Sequence, residues 1–167
     1  MENHLEGRPC RKSHVEMTEL VLPPDTNYHG TVFGGRILQW IDIAGAIASQ
    51  RHVRGKVVTA SIDDMHFLLP IRLGDTVSLK ASVNYVHRTS MEVGVRVERE
   101  MTGIGDREHA ATAYLTYVAV DDDGKPITAA PLILETEEEG RRENDARIRR
   151  QFRLARRDAL LARRKAE

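Results

Sequence analysis

The 167-residue chain predicts an α+β fold: an antiparallel sheet wrapped around one long central helix, with a second, amphipathic helix at the C-terminus. Three observations carry this reading. Between residues 36 and 50 the apolar positions Ile37, Leu38, Trp40, Ile41, Ile43, Ala44, Ala46, Ile47 and Ala48 cover almost the whole circumference of a helix, which belongs inside a core. Further along come four strand-like segments joined by turns too short for crossovers, so their pairing is antiparallel. From residue 135 the composition shifts to Glu, then Arg, with apolar residues at helical spacing.

Residues 1–12 are polar and read as a flexible N-terminal segment ahead of a domain spanning 13–134. Residues 13–22 form a first strand with Val15 and Met17 on one face. Pro23, Pro24, Asp25, Thr26 and Asn27 cannot extend that strand, and Gly30, Gly34 and Gly35 add backbone freedom just before the helical pattern. Only Gln39, Asp42 and Ser49 interrupt the apolar helix, as one narrow polar stripe.

After a basic turn at 51–55, residues 56–69 read as a long strand rich in Val, Thr, Ile and Phe, ended by Pro70. Past the Leu73-Gly74-Asp75 turn, Val77, Leu79, Ala81, Val83 and Tyr85 alternate strictly with polar residues, as Met91, Val93, Val95 and Val97 do on the next strand. A strand over 109–120 follows, closed by Asp122-Asp123-Gly124. The tail, 135–167, starts acidic and carries nine Lys or Arg against one Asp from Arg147 to Lys165, the orientation a helix dipole favours. Its stripe of Ile148, Phe152, Ala155 and Ala159 is expected to dock on the domain, leaving the arginines to solvent or to phosphates.

Lys plus Arg equals Asp plus Glu at 25 each, so net charge selects no partner. The basic tail has one aromatic residue and no recognition motif, which argues against nucleic acid. No apolar run approaches the roughly 20 residues of a membrane span, and no secretory h-region is present. Cys10 is the single cysteine, and its spacing to His4 and His14 matches no ligand set, so a cytoplasmic protein without metal or cofactor is expected.

A carboxylate on an otherwise apolar helix costs several kcal/mol, as a rough figure, unless it is paired, hydrogen-bonded or protonated. Asp42 therefore either fixes packing register or serves chemistry. Gly34 and Gly35 place backbone amides at the helix N-terminus, where orphan N–H groups and the dipole favour negative charge, roughly 10 Å along the axis from Asp42.

The run Pro24-Asp25-Thr26-Asn27, the Phe33-Gly34-Gly35 element, the helix segment Ile41 to Ala46, and the segments Val57 to Asp63 and Phe67 to Ile71 resemble the hotdog-fold acyl-CoA thioesterases. The bacterial YciA-type enzymes and the mammalian two-domain enzymes are the nearest group. The resemblance spans residues 15–139. It implies hydrolysis of acyl-CoA to fatty acid and CoA, with Asp42 as general base or, alternatively, nucleophile, and the Gly34 and Gly35 amides as oxyanion donors. It further implies that Asn27 of one subunit works with Asp42 of the other, in dimers that commonly assemble as trimers. Arg88, Thr89 and Ser90 match a CoA-contacting stretch, His29 matches a histidine found in some relatives, and Thr59 or Ser61 would face Asp42. Phe33 falls among the substrate-binding positions. Two alternatives stay open: an acyl-CoA sensor without turnover, and a hotdog dehydratase or isomerase, although no His is placed to pair with Asp42. Trp40, Met65, Phe67 and Met91 are candidates for the acyl tunnel.

Overall fold

The structure, a computed structural model, describes residues 5–63 and 65–166; His4 lies outside them. Strand β1 (Arg8–Pro9) leads into a 3₁₀ turn (Cys10–Ser13), β2 (Val15–Leu20), a second 3₁₀ turn (Pro23–Asp25) and helix α1 (Gly34–Val53). Then come β3 (Lys56–Ile62), β4 (His66–Phe67), β5 (Thr76–His87), β6 (Ser90–Glu100), β7 (Arg107–Val120), β8 (Leu132–Ile133) and α2 (Glu137–Ala166).

The main sheet runs β2-β5-β6-β7-β3, antiparallel throughout, with β4 continuing the β3 edge along β7. Its inner face is the alternating set the sequence predicts. Val77, Leu79, Ala81 and Val83 of β5, Val93, Val95 and Val97 of β6, and Ala111, Ala113, Leu115 and Tyr117 of β7 are buried against Ile37, Trp40, Ile41, Ala44 and Ala48 of α1. Small residues along β7 let the sheet curl closely around the helix.

Outside the site, the structure departs from the sequence reading in four main places, each for a physical reason. Residues 5–12 are not a loose leader from Arg8 onward: β1 pairs in parallel with β8, and Cys10 is buried under β5, its thiol donating to the Val83 carbonyl at 3.2 Å. The expected strand over 56–69 divides into β3 and β4, with a bulge between Thr59 and Ser61. A second bulge, between Val83 and Tyr85, breaks the alternation of β5, and Tyr85 leaves the inner set to lie under the Arg147 guanidinium, 4.6 Å from its ring centre.

The fourth difference is the face that α2 uses. Ile148 and Phe152, the expected docking stripe, are 51% and 73% exposed, and the opposite, polar face packs on the sheet. Ala146 is fully buried, Arg149 bonds Glu92 at 2.7 Å and lies 3.5 Å over the Tyr114 ring, Arg153 pairs with Asp63, and Arg150 reaches His87 Nδ1. The outer face of the sheet is polar here, carrying Asn84, Glu92 and Thr116, so ion pairs rather than apolar contacts hold the helix. Four of the arginines considered for coenzyme phosphates are thus committed within the fold.

Glu92 is 3% exposed, and removing its cation leaves a buried charge with only the 3.4 Å bond from Asn84 Nδ2 to balance it. Arg149→Ala is expected to lower unfolding free energy in urea by about 2–4 kcal/mol, below the full buried-pair range because Arg149 keeps some solvent. Adding Glu92→Gln should restore at least half of it; no recovery would show that the loss comes from packing of the Arg149 stem instead.

Candidate active site

Local sequence builds the loop before α1. Pro23 and Pro24 open the 3₁₀ turn, and the Asp25 carboxylate accepts the Leu22 amide at 2.9 Å and pairs with Arg36 Nε at 2.8 Å, which ties the turn to the first helical turn. The Asn27 side chain organises the next turn: Oδ1 accepts the amides of His29 and Thr31, and Nδ2 donates to Thr31 Oγ1 at 3.0 Å. His29 is exposed, its ring 3.8 Å from that of Tyr28.

Helix α1 begins at Gly34, two residues ahead of the expected start, so both glycines lie in its first turn. No acceptor for the Gly34 or Gly35 amide is found among the described residues, as the geometry of a helix start requires. Beside them is an apolar groove of about 480 Å³, lined by Val32, Ile37, Phe67, Leu69 and Ile71. Phe33 is half-exposed at the helix N-cap. Of the four residues considered for an acyl tunnel, Phe67 lines this groove, whereas Trp40 and Met91 are enclosed in the core and Met65 packs against it.

Asp42 sits at the margin of the buried face of α1, not within a polar stripe. Ser49 is wholly buried and bonds the Gly45 carbonyl, while Ile43 is exposed. Two hydroxyls converge on Asp42 Oδ1: Thr59 Oγ1 donates at 2.8 Å from β3, and Tyr117 OH at 2.9 Å from β7. The Tyr117 hydroxyl also lies 2.9 Å from the Asp42 carbonyl. Burial, then the Asp42 charge, push the Tyr117 phenol well above the ordinary tyrosine range, so it stays a donor. Oδ2 is left free of both hydroxyls.

The sequence reading missed Tyr117. Its signal was indirect: Gly45 lies one helical turn from Asp42, and a Cβ there would come within 2.5 Å of the Tyr117 hydroxyl oxygen. The helix can approach β7 this closely only with glycine at that position. Thr59, of the two hydroxyl residues considered on β3, is the one that bonds Asp42.

Register carries the site across the sheet. Val86, Met91, Tyr117 and Thr59 form one cross-strand row, and His87, Ser90, Val118 and Val58 the next. The Arg88-Thr89 hairpin therefore lies at the same end of the sheet as Thr59. Arg88 takes a left-handed conformation (φ 50°) and is exposed; the Arg88 and Thr89 carbonyls accept Ala129 and Ala119 amides, and Ser90 Oγ bonds His87 O. Asn27 and Asp42 share no hydrogen bond within the subunit; each is bonded to its own neighbours.

Residues 29–105 match the thioesterase superfamily model. An uncharacterized acyl-CoA thioester hydrolase of Bacillus subtilis, YkhA, is 46% identical over 134 residues, 80% of this chain and 78% of that protein. Acyl-coenzyme A thioesterase 11 of mouse is 38% identical, and the chain spans only 25% of its length. Among solved structures, an apo-hexameric acyl-CoA thioesterase superposes with a TM-score of 0.87 at 41% identity, over 91% of this chain and 97% of that one. The acyl-CoA hydrolase of Staphylococcus aureus, solved with butyryl coenzyme A and coenzyme A, gives 0.86 at 35% identity, over 96% and 99%. Structures of that enzyme include alanine variants of an asparagine, an aspartate and a threonine, the second lying 15 positions after the first and the third 17 after the second.

Gly45→Ala is expected to destabilise the protein by about 1–3 kcal/mol through the Tyr117 clash, despite the better helix propensity of alanine. Most of that loss should return when Tyr117→Phe removes the clashing oxygen, as measured by thermal melts. If it does not, the tight fit at Gly45 comes from the ring and not the hydroxyl.

Proposed function

The chain belongs to the acyl-CoA thioester hydrolase family of the thioesterase superfamily, and on that premise we propose that it hydrolyses acyl-CoA to a free fatty acid and coenzyme A, with Asp42 activating the attacking water. The observation that carries the mechanism is the double grip on Asp42 Oδ1 by Thr59 and Tyr117. It orients the carboxylate and leaves Oδ2 to take a proton from water. The hydroxide adds to the thioester carbon, and the Gly34 and Gly35 amides stabilise the oxyanion. When the carbon–sulfur bond breaks, the Asp42 proton passes to the leaving thiolate.

The asparagine, aspartate and threonine altered in the Staphylococcus aureus enzyme are spaced as Asn27, Asp42 and Thr59 are here, which supports a shared constellation. The amides of Gly34 and Gly35 lie seven or eight residues before Asp42 on one helix, roughly 10–12 Å along its axis. One carbonyl is served better by two subunits: Asn27, Gly34 and Gly35 from one, Asp42, Thr59 and Tyr117 from the other. The surface this needs is present. Strand β3 is the sheet edge, and its exposed Val58 and Ile62, with Ile43 of α1, offer apolar area to a second copy. Dimers of this kind would assemble as trimers of dimers, in keeping with the hexameric relative.

The acyl chain would lie in the groove beside Gly34, against Phe67, and the exposed Arg88 of the neighbouring hairpin would meet coenzyme phosphates. Thr89 and Ser90 act there through backbone shape more than through their hydroxyls, while His29 supports the Asn27 turn. No helix among the described residues is long and apolar enough to cross a membrane, and the single reduced cysteine suits the cytoplasm.

Free-thiol release from acyl-CoAs ranging from acetyl to palmitoyl tests the reaction. Asp42→Asn should lower kcat by roughly 10²–10⁴-fold with coenzyme A binding retained, the range of a lost general base. Asn27→Ala should impair turnover as well. Tight acyl-CoA binding without hydrolysis by the wild type would make the protein a sensor and Asp42 a packing residue.

Tyr117 is a positioning residue, and kinetics separate that role from a structural one. Tyr117→Phe should reduce kcat roughly tenfold, the cost of one hydrogen bond to a charged group, with KM little changed. A fall in kcat accompanied by a comparable rise in KM would assign Tyr117 to packing alone.

A further inference from the structure

Three side chains with metal-ligating chemistry, none of them in the hydrolase constellation, meet where the N-terminal turn reaches α2. Cys10 opens the 3₁₀ turn after β1, His14 follows that turn, and Glu139 comes from the first turn of α2. One ligand atom from each lies within 4.8 Å of the other two, and Cys10 Sγ is 3.8 Å from His14 Nε2. The geometry points to a zinc site formed by Cys10, His14 and Glu139, which would join the N-terminal turn to the C-terminal helix. It is independent of the hydrolase reading.

The donor set and its support both favour this. A thiolate, an imidazole and a carboxylate are the ligands of borderline-soft divalent ions, zinc above all. Bonds of about 2.0–2.3 Å set tetrahedral donors roughly 3.3–3.6 Å apart, so a spacing within 4.8 Å needs to contract by about 1.5 Å at most. Cys10 and Glu139 are 2% and 9% exposed, whereas His14 reaches the surface, so an ion could enter from that side.

The ligands are held from behind. Glu139 Oε2 accepts the Glu135 amide at 2.6 Å and the Thr136 amide at 3.2 Å, leaving its other oxygen for an ion. Ser13 Oγ donates to the Cys10 carbonyl and accepts the Val83 amide, locking the turn on β5. The nearby cation, Arg142, is turned to Glu138 at 3.0 Å. On binding, the thiol proton leaves to solvent, its bond to the Val83 carbonyl is lost and a sulfur–metal bond forms. Three protein ligands leave a fourth position for water, towards a polar cleft of about 590 Å³ that His14, Arg141 and Arg142 line. Spacing along the chain hid the site because its carboxylate comes from the other end of the molecule.

Titration of the chelator-treated full chain with Co²⁺ tests the assignment. One ion per chain is expected, with visible d–d bands and a near-ultraviolet thiolate-to-cobalt charge-transfer band that zinc abolishes. Cys10→Ser should remove the charge-transfer band. His14→Ala, at an exposed position that folding tolerates, should weaken binding at least roughly tenfold and abolish a zinc-induced rise in melting temperature. Absence of the band with the wild type, its survival in Cys10→Ser, or unchanged affinity in His14→Ala would overturn the site.

Discussion

The closeness of α1 to β7 at Gly45 sets the geometry of everything around it. An all-apolar helix inside a curled sheet is held by burial, which is strong but without direction. Direction comes from the Tyr117 hydroxyl, which bonds both the backbone and the side chain of Asp42 and reaches them only because residue 45 has no side chain. The same contact that seats the helix in the sheet therefore aims the carboxylate. Thr59, from the neighbouring strand, completes the grip, and the bulge immediately after it bends the edge strand where the site opens.

The two faces of the sheet are stabilised by different physics. Inside, Val, Leu and Ala side chains meet α1 in an apolar core. Outside, α2 lies on a polar surface and is held by Arg149 on Glu92, Arg153 on Asp63 and arginine–tyrosine stacking. Burying Glu92 is costly without its guanidinium, so helix and sheet depend on each other. This arrangement commits these arginines to contacts within the fold, whereas Arg88 of the β5-β6 hairpin is exposed at the end of the sheet that carries Thr59.

A single subunit is complete as a fold and, under the mechanism we propose, incomplete as a catalyst. Its core is closed, yet Asn27 is turned to its own loop, Asp42 to its own sheet, and β3 ends the sheet with apolar residues exposed. With the oxyanion donors and the base on two copies, as we propose, activity would depend on assembly, and the exposed edge of β3 would be covered and kept from unspecific pairing.

What the sequence by itself determined is local and periodic. The apolar run of α1, the two-residue alternation of β5 to β7, the proline and glycine breaks around Asn27, and Asp42 as an anomalous carboxylate are all readable because each signal repeats or conflicts within a few residues. The motifs that resemble a hotdog thioesterase lay within those same elements. Tertiary structure alone decided which face of α2 docks, since an amphipathic pattern does not reveal that the receiving surface is polar. It likewise decided that Tyr85 leaves the inner face, because a bulge leaves no mark in the alternation. It brought Tyr117 to Asp42, 75 residues away, and Glu139 to Cys10 and His14. Contacts of that kind arise from chain closure, where the partner is chosen by the curvature of the sheet and not by any property of neighbouring residues.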